Sequence, residues 1–221
     1  MAYRAAVFDL DGTLLNTLAD LADSGNELLA SYDMAPHPEK AYRYYVGNGS
    51  RKLMERILPG RTPEQIDEAL ARYKAIYEKR LTVKTTPYTG ILEMLSALRT
   101  RGVRMAVCTN KHVSAAEVLI RKYFPADSFD AYEGDCPGVP RKPDPAHVRI
   151  VLDNMGVGPE ETVYLGDSGV DMQTAVNAGV LPVGVLWGFR EKEELTENGA
   201  EILLSQPLEL LEKVVFVNNE R

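Results

Sequence analysis

The chain opens on a short unbroken apolar run, Ala5-Ala6-Val7-Phe8, followed at once by Asp9-Leu10-Asp11-Gly12-Thr13. An apolar run bounded by an acidic turn predicts a strand covered on both faces. The period then changes. Leu18, Leu21, Ala22, Gly25, Leu28 and Leu29 recur at helical spacing. The tyrosine-rich stretch Tyr42-Arg43-Tyr44-Tyr45 leads into Val46-Gly47-Asn48-Gly49-Ser50, a tight loop by composition. A further helical piece through Leu53, Met54 and Ile57 stops at Pro59-Gly60. Thr62-Pro63-Glu64-Gln65 is a strong helix start: Thr62 caps, Pro63 suits the first turn and Gln65 completes a capping box. Ile66, Ala69, Leu70, Tyr73, Ile76 and Tyr77 keep one apolar face after it. From about residue 16 to about residue 84, only helices and loops are expected.

Beyond Thr85 strands and helices alternate. The pattern predicts a helix over 88–101 closed by Gly102, a strand over 104–108 ending at Thr109-Asn110, a helix over 113–123 and a short strand over 129–132. Asp144 is placed to cap a helix that Pro145 opens and Gly156 closes. A strand over 162–165 delivers Gly166-Asp167-Ser168, and a helix through Met172, Ala175 and Val176 ends at Gly179. Strands over 181–186 and 201–204, a last helix from Pro207 and a frayed Asn218-Asn219-Glu220-Arg221 complete the chain. Alternating strands and helices imply a parallel sheet covered on both faces, a Rossmann-like α/β core. The first strand is separated from the rest by an all-helical insertion of about 70 residues, enough for a small domain. The expected division is therefore a core of residues 1–15 and 85–221 and a helical domain of residues 16–84.

Composition narrows the partners. The chain has 221 residues, 45% of them apolar, enough for a sizeable core. A net charge of -7 argues against nucleic acid or an anionic membrane as the main partner, so an anionic substrate needs local positive groups. Met1-Ala2-Tyr3-Arg4 runs straight into a strand without signal-peptide architecture, and no apolar run approaches the ~20 residues of a membrane span. Cys108 and Cys136 form neither a metal-spaced pair nor a disulfide framework, which fits a cytoplasmic setting. Cys108 ends an apolar strand and reads as a small buried side chain. His37, His112 and His147 have no metal-ligand spacing.

The candidate chemistry sits at strand ends, which converge along one edge of a parallel sheet. They carry Asp9 and Asp11, then Thr109 and Asn110, then Gly166-Asp167-Ser168 with Asp171 beyond, and Arg141-Lys142-Pro143-Asp144 supplies cations at a helix entrance. A carboxylate can act as covalent nucleophile while a second serves as general acid and base. Clustered acids repel unless a cation sits among them, and hard oxygen ligands favour magnesium. Hydroxyl, amide and lysine can bind phosphoryl oxygens, so the set is a parts list for phosphoryl transfer. Each residue also has a plainer reading. Asp11-Gly12 can be a turn, Asp167 a helix cap with Ser168 the better one, and Thr109 and Asn110 turn residues. Lys142 can be a solvated lysine with Arg141 as the competing phosphate cation, and Trp187-Gly188-Phe189-Arg190 can border a pocket or simply pack. Together these plain readings are improbable.

Asp9-x-Asp11-Gly12-Thr13, Thr109-Asn110, Lys142-Pro143 and Gly166-Asp167-x-x-x-Asp171 occur in order and resemble the four motifs of the haloacid dehalogenase superfamily. Val46-Gly47-Asn48-Gly49, Leu53-Met54-Glu55-Arg56 and Thr109-Asn110-Lys111 are similar to its phosphoglycolate phosphatase group. The resemblance implies the superfamily fold, with the helical insertion as a cap. It implies that Asp9 attacks phosphorus and that Asp11 protonates the leaving oxygen and later activates water. Asp9, the Asp11 backbone carbonyl and Asp167 would hold Mg2+, supported by Asp171, while Thr109, Lys142 and the Gly12 amide hold the phosphoryl group. Dehalogenases and phosphonate hydrolases of the superfamily lack an aspartate at the Asp11 position, which sets both activities aside.

The expectation is thus a magnesium-dependent phosphatase acting through an aspartyl phosphate on a small phosphorylated molecule such as 2-phosphoglycolate. The rivals are a sugar phosphate, a nucleotide or pyrophosphate as substrate, or a phosphomutase that passes the phosphoryl group on. Substrate choice falls to the cap, with Gly47 and Asn48 in its loop as candidates and Arg43 and Arg51 next, since glycines admit close backbone approach and Asn48 offers donors. No nucleic-acid or membrane partner is expected, and the protein would act as a monomer or homodimer.

Overall fold

The computed structural model describes residues 2–217; the expected frayed segment 218–221 lies outside them. Six strands form one parallel sheet: β1 (Ala5–Phe8), β4 (Arg104–His112), β5 (Ala131–Asp135), β6 (Thr162–Gly166), β7 (Leu181–Val185) and β8 (Ile202–Leu204). Their order is β5-β4-β1-β6-β7-β8, so β1 lies between β4 and β6. Side chains alternate across a strand. Ala6 and Phe8 accordingly enter the larger apolar cluster, and Ala5 and Val7 a second one with Val148, Val151 and Tyr164 on the other face. All four β1 residues are fully buried, as expected of a strand covered on both sides.

The sheet is flanked by α5 (Ile91–Thr100), α6 (Val113–Tyr123), α7 (Ala146–Met155), α8 (Gly169–Ala178), α9 (Lys192–Glu197) and α10 (Leu210–Lys213). Four helices stand between β1 and α5: α1 (Leu18–Ala30), α2 (Glu39–Tyr45), α3 (Ser50–Ile57) and α4 (Pro63–Arg80). The capping box at the start of α4 forms as expected between Thr62 and Gln65. The insertion leaves and re-enters through a two-strand antiparallel ladder, β2 (Leu15–Asn16) with β3 (Thr86–Pro87). Asp20 of α1 fastens this junction, accepting from the Lys84 and Thr85 amides and the Thr85 hydroxyl at 2.8 to 3.0 Å.

Three boundaries differ from the local pattern, each because a distant partner overrides it. The helix expected from residue 88 starts at Ile91, because Thr86-Pro87 is held by β2 and Gly90 turns the chain at a φ of 90°. The strand expected over 104–108 runs on to His112, paired there with Asp135 after a register irregularity. The strand expected over 129–132 lies at Ala131–Asp135, because Asp130 spends its backbone and carboxylate on Met105 and the ladder begins only at Ala131. The helix expected to open at Pro145 under an Asp144 cap starts instead at Ala146 with Pro145 in the cap position, and Asp144 Oδ1 accepts from the Ala146 amide at 2.9 Å just before it; the closing segment from Pro207 is a 3-10 turn leading into α10.

Candidate active site

The four motifs meet at one end of the sheet. Asp9 follows β1 and keeps the ladder for one more residue, its amide donating to Leu165 at 2.9 Å. Asp167 follows β6, and Ser168 caps α8 in a reciprocal capping box with Asp171. The plainer reading of Asp167 as the cap is thereby answered: Ser168 holds that position. Thr109 and Asn110 lie inside β4. Lys142 reaches in from the segment between β5 and α7.

Lys142 is the hub. Its Nζ donates to Asp9 Oδ1 at 2.8 Å, Asp171 Oδ1 at 2.6 Å and the Tyr164 hydroxyl at 2.9 Å, and lies 3.1 Å from the Cys108 carbonyl, which accepts from the Tyr164 hydroxyl at 3.0 Å. Burial alone would lower its pKa, but Asp171 and Asp9 outweigh that and hold it well above the ordinary lysine value. The Asn110 side chain clamps the Lys142 backbone from both sides, accepting from its amide at 3.0 Å and donating to its carbonyl at 3.3 Å. Arg141, the competing cation, makes a two-point pair with Asp135 at 2.6 and 2.7 Å instead. Tyr164 is a partner that the sequence hides, since as an apolar-strand residue it reads only as core.

Burial also governs the acids. It raises Asp9 from 3.8 to about 6, with Lys142 pulling the other way. Asp167 is pushed well above the ordinary range by burial, then by Asp171 and Asp9, although the Phe189 amide lowers it by donating at 2.8 Å. Oxygens of Asp9, Asp167 and Asp171 lie within 4.8 Å of one another. Three buried carboxylates around one ammonium leave negative charge that a hard divalent cation would neutralise, so the donor set fits such an ion. Asp171 is already committed on both oxygens, to Lys142 and to Ser168, whereas Asp9 Oδ2 has no donor among the described residues. Room here is made by missing side chains: a Cβ on Gly12 or on Gly188 would strike Asp167.

The second acid is held differently. Lys111, only 8% exposed, donates to both Asp11 oxygens at 2.9 and 2.7 Å and lies 4.8 Å from the Tyr77 ring centroid of α4. The sequence marks Lys111 as part of a motif, but nothing local predicts its partner. Cys108 is an inert thiol, pushed up to about 12 by burial.

These groups open into a cavity of about 310 Å³ bordered by the insertion. Asp9, Asp11, Thr109, Asn110, Asp167 and Asp171 line it from the core, and Gly47, Gly49, Ser50, Tyr73 and Tyr77 from the helices. Asn48, expected beside Gly47 as a donor, has its Oδ1 engaged by Arg56 at 2.7 Å and is not among the lining residues. Arg51 pairs with Asp67 and Glu55 on the surface. The loop after β7 both borders the cavity and packs. Phe189 and Arg190 line it, the Trp187 indole donates to the Thr13 carbonyl at 2.9 Å, and Arg190 Nη2 donates to the Val46 carbonyl at 3.0 Å. Arg43 Nη2 returns the contact to the Gly188 carbonyl at 2.7 Å, and Asn110 Nδ2 donates to the Gly47 carbonyl at 3.0 Å.

Comparison with known proteins agrees with this geometry. Residues 6–185 match the family model described as haloacid dehalogenase-like hydrolase. A phosphoglycolate phosphatase of Rhodospirillum rubrum is 38% identical over 205 residues, 89% of this chain and 85% of that one. One of Nitrosospira multiformis is 35% identical over 199 residues, covering 88% of each chain. A crystal structure from Lactobacillus delbrueckii subsp. bulgaricus superposes with a TM-score of 0.92 at 31% identity, over 97% of this chain and 99% of that one. With its motif acids, lysine and threonine gathered at one sheet edge, the chain belongs to the haloacid dehalogenase-like hydrolases.

Proposed function

We propose that the protein is a magnesium-dependent phosphatase that hydrolyses 2-phosphoglycolate to glycolate through a phosphoryl group carried on Asp9. The observation that carries the reading is the state of Asp9: Lys142 holds one oxygen, the other has no donor among the described residues, and Asp9 borders the cavity together with Asp11. In the first half-reaction an Asp9 oxygen bonds to phosphorus, the bond from phosphorus to the leaving oxygen breaks, and Asp11 gives that oxygen its proton. In the second, Asp11 takes a proton from water as the water oxygen attacks phosphorus and the bond to Asp9 breaks. Lys142 offsets charge on Asp9 and on the transferring group, Thr109 holds phosphoryl oxygens, and Asn110 keeps Lys142 in place, while the Gly12 amide, expected beside Thr109, is spent on the Leu15 carbonyl at 2.8 Å. Asp9, the Asp11 backbone carbonyl and Asp167 would hold Mg2+ with Asp171 in support, and the ion would neutralise phosphoryl charge.

Residues 16–84 are proposed as a cap domain that closes over the cavity, with residues 1–15 and 85–221 as the catalytic core. The paired β2–β3 junction suits a hinged element that excludes water during reaction. Gly47 and Gly49 of the cap loop, which line the cavity, would meet the leaving group. The cavity suits a small ligand, and the R. rubrum and N. multiformis relatives carry the phosphoglycolate phosphatase name. We further take the protein to act in the cytoplasm, which fits its two free thiols, as a monomer or homodimer. A panel of phosphorylated metabolites assayed with magnesium and with chelator tests the reading. The expected result is phosphate release from 2-phosphoglycolate above sugar phosphates, nucleotides and pyrophosphate, lost with chelator and restored by magnesium. Full turnover in chelator removes the metal assignment, and transfer of phosphate to a second substrate without release makes the protein a mutase.

A further inference from the structure

Lys111 stands in the motif Thr109-Asn110-Lys111, and the reaction described above uses only the first two of these residues. A lysine is seldom buried without a partner, yet Lys111 is only 8% exposed. Its ammonium donates to both Asp11 oxygens, at 2.9 and 2.7 Å, and no other donor among the described residues reaches that carboxylate. Against the ammonium lies the Tyr77 ring of α4, its centroid 4.8 Å away, a face that attracts a cation without competing for Asp11. The backbone that carries Lys111 is defined as closely. β4 leaves regular register with β5 between Cys108 and His112, and an irregularity of this kind re-aims the side chains it carries. Gly134 of β5 makes room for it: a Cβ there would lie 2.8 Å from the Lys111 carbonyl oxygen. The Lys111 amide donates to Thr109 Oγ1 at 3.2 Å, so the two motif residues are fixed together.

We propose that Lys111 is a positioning residue that aims the Asp11 carboxylate at the oxygens that leave and attack phosphorus. The carboxylate turns about two side-chain bonds, and contact at both oxygens restrains both rotations. A carboxylate offers about four acceptor sites, and Lys111 occupies two of them, so Asp11 is held and can still exchange a proton. The two lysines thus divide the acids: Lys142 holds Asp9 and Asp171, and Lys111 holds Asp11. The inference rests on the phosphatase reading and adds to it the group that orients its acid and base.

Lys111→Met, which keeps the length and removes the donors, tests the inference in the wild-type and Asp11→Asn backgrounds with magnesium. Lys111→Gln, which removes the charge with a different side chain, is measured beside it in case methionine disturbs the fold. The readout is kcat/KM for three esters. Ethyl phosphate is the plain alkyl ester, 2-phosphoglycolate is of similar size and adds a carboxylate, and p-nitrophenyl phosphate has a leaving group that needs little protonation. Each substitution should lower kcat/KM about tenfold for the first two and less than about twofold for p-nitrophenyl phosphate. In the Asp11→Asn background it should change none of them more than about twofold, because the group that Lys111 aims is gone. A loss equal for all three esters, or one that persists in Asp11→Asn, overturns the inference and leaves Lys111 a residue of the fold; so do variants with wild-type kinetics. A loss confined to 2-phosphoglycolate also overturns it, making Lys111 a contact for the substrate carboxylate. All these outcomes leave the phosphatase reading standing, whereas a wild type that hydrolyses none of the three esters ends that reading and the inference with it.

Discussion

The two walls of the cavity are built differently, one as a network of paired charges and the other as a mixed surface. At the strand ends Lys142 joins Asp9, Asp171, Tyr164 and the Cys108 carbonyl, and Ser168 and Phe189 hold the remaining acids. The wall from the insertion mixes the apolar Leu53 and Leu81 with the charged Lys74 and Glu78 of α4. Across the seam the contacts run largely to backbone carbonyls, as with Arg43 to Gly188, Arg190 to Val46 and Asn110 to Gly47. Rigid, charge-paired groups suit a phosphoryl group that is the same in every substrate, because preorganised charge needs no rearrangement during reaction. Side chains on a separate element suit the part that varies, because they can change without disturbing the charges at the strand ends.

The largest effect should come from breaking the charged wall. Asp9→Asn keeps the shape and removes the nucleophile, so turnover should drop at least about 10⁴-fold for every substrate alike; a stopped assay of phosphate release measures it. Next, Asp11→Asn should slow alkyl phosphates about 10²- to 10³-fold and p-nitrophenyl phosphate far less, since a good leaving group needs little protonation. Equal losses on both would make Asp11 a partner for Lys111 and nothing more.

A stability effect follows from Asp9 in chelator. Burial raises its pKa from 3.8 to about 6 in the folded protein, so between those values the folded chain holds a proton that the unfolded chain releases. That contribution to stability is present at low pH and is lost as pH rises through about 6. Asp9→Asn has no charge to bury. Its Tm relative to wild type, followed by calorimetry without metal, should therefore climb across that window, and added magnesium should close the gap.

The smallest effect belongs to the seam. Arg43→Ala deletes one hydrogen bond to Gly188 and should lower kcat/KM about fivefold, with the same factor for 2-phosphoglycolate and ethyl phosphate. A factor that depended on the ester would assign Arg43 to the leaving group as well.

The sequence by itself determined the α/β core, the helical insertion after β1 and the strand ends that carry the motif residues. Those features depend on near neighbours: period, a capping box such as Thr62 with Gln65, and the left-handed turn that Gly156 gives α7. Even convergence of the acids was legible, because parallel strands must end on the same edge. Only the tertiary structure decided which charges pair. Arg141 and Lys142 are adjacent, yet Arg141 meets Asp135 six positions away while Lys142 reaches Asp9 across 133 positions. Lys111 finds Asp11 across 100 positions, β5 takes its bounds from β4, and Asn48 turns to Arg56. The Tyr73 and Tyr77 hydroxyls, without a partner among the described residues, were hidden for the same reason: helical spacing shows that a tyrosine is buried, but whether its oxygen finds a partner depends on the surface packed against it.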